Sequence, residues 1–182
     1  LYGMQKMSSD SFEVRALLLA LVPKVDSCIE VIKAQHVGNA LYGLQKMSSD
    51  SAEVCALLSA FVSRVVSCRE ALEAQHVGNA LYGMKRMSSD SAEVCAMLSA
   101  LAPKVQSCRQ TLGAQHVGNG LYGMQKMSSD SPEVLAILLA LAPKVESCRE
   151  ALSSQHIGNA LYGMQKMSDD SPEVRAILSS LA

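Results

Sequence analysis

This chain predicts an all-α fold, an α-solenoid of stacked helical hairpins, and three observations predict it. First, a nearly constant stretch recurs at forty-residue intervals: QHVGNALYGLQKMSS at 35–49, QHVGNALYGMKRMSS at 75–89, QHVGNGLYGMQKMSS at 115–129 and QHIGNALYGMQKMSD at 155–169. A fixed period of about 20–50 residues marks a solenoid, a propeller or an array. Second, apolar residues between the copies recur three and four positions apart, which is helical spacing and not strand alternation. Third, the turn SSDS (SDDS in the last copy) precedes each of these apolar segments.

Each unit divides into two helices. The units begin at Leu1, Leu41, Leu81, Leu121 and Leu161, giving four full copies and about half of a fifth. In the repeated stretch Val37, Leu41 and Leu44 form an apolar stripe, with Ala40 and Met47 beside it. Gly38 and Gly43 each cost about 1 kcal/mol inside a helix relative to Ala, so their return in every unit predicts close approach of a neighbouring backbone. The second helix is expected from Ser51 to Ala74, because Val54, Leu58, Phe61, Val65, Cys68 and Leu72 keep one phase throughout. Ser131, Pro132 and Glu133 mark its start in the fourth unit, as cap, first helical residue and dipole-compensating carboxylate. Pro23, Pro103 and Pro143 fall inside this segment, where the second unit has Ser63. An interior proline removes one hydrogen bond and clashes one turn back. The segment therefore either kinks there or splits into two nearly collinear helices, as in a three-helix armadillo unit.

The bulk composition bounds the function. With 49% apolar residues, no Trp and few aromatics, the core is aliphatic. With 16 basic against 17 acidic residues, the chain is no basic coat for nucleic acid. No apolar run approaches the roughly 18 residues of a membrane span, and no signal or transit segment is evident. The chain opens at Leu1 inside a unit and stops inside another, so it reads as a piece of a longer array. Apolar faces at its ends are then expected to associate end to end or to dock on the rest of a larger chain.

Cys28, Cys68, Cys108 and Cys148 share one repeat position, and Cys55 and Cys95 share another. Neighbouring helices pack about 8–10 Å apart, whereas bridged Cα atoms lie about 4.4–6.8 Å apart. Free thiols, buried as small hydrophobes, in a reducing intracellular compartment are the expectation, with no CxxC pair and no metal site.

Two sets of polar positions behave differently. Gln35, Asn39, Tyr42 and Lys46 are spaced 4, 3 and 4 and should share one helical face. The set returns as Gln75, Asn79, Tyr82 and Arg86, as Gln115, Asn119, Tyr122 and Lys126, and as Gln155, Asn159, Tyr162 and Lys166. Stacked units would make a ladder of amides, phenols and cations, suited to a polymer: amides bond to base edges or peptide groups, rings stack, cations meet phosphate. The alternative is that the Asn and Gln side chains fasten adjacent units together. His36, His76, His116 and His156 sit beside the ladder as packing or hydrogen-bonding residues. By contrast Arg15, Cys55, Cys95, Leu135 and Arg175 are equivalent positions that drift, as are Asp26, Val66, Gln106 and Glu146. Drifting positions either read a different base in each unit or are unconstrained surface. No phosphate loop or unique nucleophile–base–acid set is present. Every polar candidate is copied in each unit, so the sequence predicts a binding surface, with no catalytic residue and no cofactor.

The run QHVGNALYGMQKM resembles the helix of the octotricopeptide repeats. Gln35, Asn39, Leu41, Tyr42 and Gly43 match that pattern, as do their copies. The resemblance covers essentially the whole chain and implies an RNA-binding solenoid acting in organellar RNA processing, translation or ribosomes, with single-stranded RNA as partner. The near-neutral charge and many small apolar residues point instead to a protein-interaction scaffold, and both readings stand at this stage.

Overall fold

The computed structural model describes all 182 residues, and the chain is an α-solenoid without strands. A 3-10 turn at Tyr2–Met4 is followed by nine helices: α1 (Phe12–Asp26), α2 (Ala34–Gly43), α3 (Ala52–Ser67), α4 (Ala74–Gly83), α5 (Ala92–Ser107), α6 (Ala114–Tyr122), α7 (Pro132–Glu146), α8 (Ser154–Gly163) and α9 (Pro172–Leu181). The short helices α2, α4, α6 and α8 pack on one another in succession, and the helices α1, α3, α5, α7 and α9 do the same. Two parallel layers result, and a continuous core of 43 buried residues joins them.

Glycine sets the spacing of the short layer. No glycine adopts positive φ, so backbone freedom is not the reason for its use. Space is the reason. A Cβ on Gly83 would fall on the Leu41 carbonyl and within 2.9 Å of the Tyr42 nitrogen, and one on Gly38 would lie 3.0 Å from the His76 Cα. The close approach expected from the recurring glycines is therefore real, and the neighbour in each case is the backbone of the adjacent unit.

The long helices start as the sequence suggests. Ser11, Ser91 and Ser131 accept from the backbone N–H three residues on, at 3.4 Å. Each hydroxyl in turn donates to the following carboxylate, as Ser11 does to Glu13 at 2.6 Å and Ser131 to Glu133 at 2.8 Å. That donation is the main reason the carboxyls of Glu13, Glu53, Glu93 and Glu133 sit below their ordinary pKa.

The helix expected from Ser51 to Ala74 ends at Ser67. Cys68 and Leu72 are nevertheless buried, because the non-helical connection that follows presents them to the core at the same spacing. The apolar phase therefore ran on past the helix it began in. The next unit helps end it: Lys104 donates to the carbonyls of Val66 (3.4 Å) and Cys68, groups a helix terminus leaves unpaired. The prolines do not split the helix. α1, α5 and α7 run unbroken through Pro23, Pro103 and Pro143, which lie in the last turns, where the fixed φ suits a helix and one lost bond matters least. Each unit is thus a two-helix hairpin.

All six cysteines are free thiols. Burial lifts Cys55 and Cys95 above the ordinary thiol range. No helix is long and apolar enough to cross a membrane.

The last unit shows what stacking does. Leu41, Leu81 and Leu121 are fully buried, while the equivalent Leu161 is 49% exposed, since no further short helix covers α8.

Candidate functional site: an amide row on the short-helix layer

The structure divides the predicted ladder into three kinds of residue. Gln35, Gln75, Gln115 and Gln155 are exposed, and Asn39, Asn79, Asn119 and Asn159 are half-buried. They lie on α2, α4, α6 and α8 four residues apart, one turn above the other. None of these eight amides makes a hydrogen bond to any other protein group, whereas 55 other bonds involve side chains. The fastening role is therefore not theirs.

The phenols do a different job. Tyr2, Tyr42, Tyr82, Tyr122 and Tyr162 form one column, with ring centroids 5.7–6.0 Å apart and planes inclined by 23–28°. Such offset stacking is favourable by about 0.5–1.5 kcal/mol per pair. Each inner ring lies between two phenols too closely spaced for a base to slot between them. Lys85, found where other units have Gln, sits 4.1 Å above the Tyr82 ring and donates to the Tyr82 hydroxyl and to Gln45 Oε1.

The cations lie off the helix. α2 ends at Gly43, and the next residues form a tight turn in which Leu44 and Gln45 donate to the carbonyls three residues back. Lys46, Arg86, Lys126 and Lys166 therefore stand at the edge of the layer and not in line with the amides. Arg86 donates to the Lys46 carbonyl at 3.2 Å and shares a cleft with Asp10, Asp50, Glu53 and Arg15.

Fastening falls to three sets that the sequence reading passed over. Ser9, Ser49, Ser89 and Ser129 accept from the N–H of Ser48, Ser88, Ser128 and Ser168 in the next unit, at 2.9–3.0 Å. Glu70, Gln110 and Glu150 accept from Ala34, Ala74 and Ala114, the first residues of the preceding short helices, at 2.7–3.0 Å. Arg64, Lys104 and Lys144 donate to the carbonyls that end the preceding long helix, as Lys144 does to Cys108 at 2.6 Å. Acceptors sit at helix N-termini and cations at C-termini, each complementing the dipole. A signal was present in the sequence: these positions keep their hydrogen-bonding character through every copy. We expect Ser89→Ala to lower stability by about 1–3 kcal/mol, because the Ser128 N–H loses its partner. Asn79→Ala should cost no more than about 0.5 kcal/mol. Urea melts followed by circular dichroism check both, and a larger loss for Asn79 would restore it as a fastener.

The histidines are hydrogen-bonding residues. His36, His76, His116 and His156 each accept at Nδ1 from the backbone N–H three residues earlier, at 3.2 Å, closing the first turn of the short helix with the proton on Nε2. One drifting set turns inward to its own loop, where Arg15, Cys55, Cys95 and Arg175 donate to the carbonyls of Ser9, Ser49, Ser89 and Asp169 at 2.8–3.3 Å, while Asp26, Val66, Gln106 and Glu146 are exposed. No group of three or more His, Cys, Asp or Glu side chains is placed to hold a metal ion.

Compared with protein-family profiles, curated proteins and solved structures, the chain matches none of them.

Proposed function

We propose that this solenoid is a non-enzymatic binding scaffold whose short-helix layer holds an extended polypeptide by its main chain. One observation carries the reading: eight Gln and Asn amides, in register along four units, have every donor and acceptor free of protein partners. A primary amide offers a carbonyl and an NH2 group, the complement of the N–H and C=O that a peptide repeats. The short helices meet backbone to backbone at their glycines, so the amide pairs follow one another at a short step.

RNA is the second reading, supported by the resemblance to octotricopeptide repeats and by Lys46, Lys126 and Lys166, none of which pairs with a carboxylate. Two features favour peptide over RNA. The phenol faces are occupied by one another, and Arg86 borders three carboxylates.

The deciding experiment measures retention of a randomised ten-residue peptide library and of oligouridine by the immobilised protein. Peptide retention is expected, and Asn79→Ala with Asn119→Ala should weaken it by roughly 1–3 kcal/mol in all, at about 0.5–1.5 kcal/mol per lost bond, with the helix content intact. Retention of oligouridine alone would establish the RNA reading. Changing Lys46, Arg86, Lys126 and Lys166 to Gln should then flatten the slope of log affinity against log salt by about 0.7 per contact.

A further inference from the structure

We infer that the amide row reads the repeating main chain of its ligand and is indifferent to the order of the ligand's side chains. This rests on the polypeptide reading above and deepens it.

Discrimination along a polymer requires that successive units present different groups to successive ligand positions. The short-helix face presents the same ones. Positions 35, 75, 115 and 155 are all Gln, positions 39, 79, 119 and 159 are all Asn, and the neighbouring His and Tyr are equally constant. Within the short helices variation is limited to Gly120, Ser154 and Ile157, and the rest lies in the long helices and connections. The drifting donors there, Arg15, Cys55, Cys95 and Arg175, are engaged by carbonyls of their own loops. On the short-helix face the free side chains are therefore the invariant ones, whereas the variable and exposed Asp26, Val66, Gln106 and Glu146 belong to the long helices. Four identical sites in a row recognise whatever is identical at each step of the ligand.

In a polypeptide that constant part is the peptide group. Two residues of an extended strand cover about 6.6–6.8 Å, less when the strand is strongly twisted. The phenol column marks the step of this layer at 5.7–6.0 Å, so each unit takes two residues and the four amide pairs span about eight. The Tyr rings contribute edges and hydroxyls to this surface but no variable pocket, which removes a second route to side-chain selection. A ligand shifted by one unit meets the same contacts again, so binding has several equivalent registers.

The test uses the intact 182-residue protein and the randomised ten-residue library, sequenced before and after retention, with a length series of four, six, eight and ten residues drawn from it. Support consists of retained peptides with no common motif and of affinity that rises by roughly two- to tenfold for each added pair of residues up to eight. Enrichment of a defined sequence motif would overturn the inference while leaving the polypeptide reading intact. Absence of any peptide retention would overturn both. A length series with no stepwise gain would overturn the two-residue register. Asn79→Ala with Asn119→Ala serves as the internal control. Loss of retention equally across unrelated library members is the expected result, and loss confined to particular sequences counts against main-chain reading.

Discussion

Gly83→Ala is expected to break the stack between α2 and α4. The added Cβ would meet the Leu41 carbonyl carbon and oxygen as well as the Tyr42 nitrogen, and all three are backbone atoms that no rotamer change removes. Overpacking typically costs about 1–3 kcal/mol and occasionally more, and a rigid backbone clash belongs at or above the top of that range. In a one-dimensional array each unit is stabilised by its neighbours, so the damaged interface should divide unfolding into two blocks and broaden or split the urea transition. Gly158→Ala, at the other glycine of the motif, is the control. It lies at the position of Gly38, Gly78 and Gly118 but has nothing within 4 Å, so the helix propensity gain of about 1 kcal/mol should make that variant more stable. Glycine to alanine thus has opposite signs at two glycines of the repeated motif, one against a neighbouring backbone and one in open space. Equal effects in the two variants would mean that the units do not stack backbone to backbone.

Leu81→Ala is expected to cost about 2–5 kcal/mol, the range for a fully buried leucine that leaves a cavity. Its side chain has no solvent exposure, lies on α4 and belongs to the core shared by both layers. Leu161 occupies the same place in its unit but is half-exposed, so Leu161→Ala should cost less than about 1.5 kcal/mol, because much of that side chain already meets water. Thermal or urea melts of the two variants give the comparison directly. Similar losses at the two sites would show that Leu161 is covered in solution by a contact outside the chain, such as a second molecule on the end of the array. Repeating the Leu161 melt over a hundredfold range of protein concentration separates that case, since an intermolecular contact makes stability depend on concentration.

The periodic part of this protein is written in the order of its residues. A forty-residue repeat of two apolar stripes cannot bury itself one unit at a time, so the stacked helical architecture was legible before any coordinate. So was the use of glycine, because a costly residue kept inside every short helix needs a compensating close approach, and Gly38 and Gly83 have one. The serine caps at Ser11 and Ser131 were legible for the same local reason.

What each polar side chain touches is set by packing between units. Periodicity records which way a residue points, and Leu72 points at the core from a non-helical segment as well as it would from a helix. The long helix therefore looked longer than it is. Lys46 seemed in line with Gln35 and Asn39 because helical spacing was carried past Gly43, where the backbone turns instead. Above all, a repeated polar residue can fasten its neighbours or face a ligand, and repetition is identical in the two cases. Partners thirty-six to forty residues away, such as Ser89 with Ser128, Glu150 with Ala114 and Lys144 with Cys108, took the fastening role. The tyrosines took one another as partners, and the Gln and Asn amides were left free. That division depends on distances between units, which the spacing of residues along one chain does not contain.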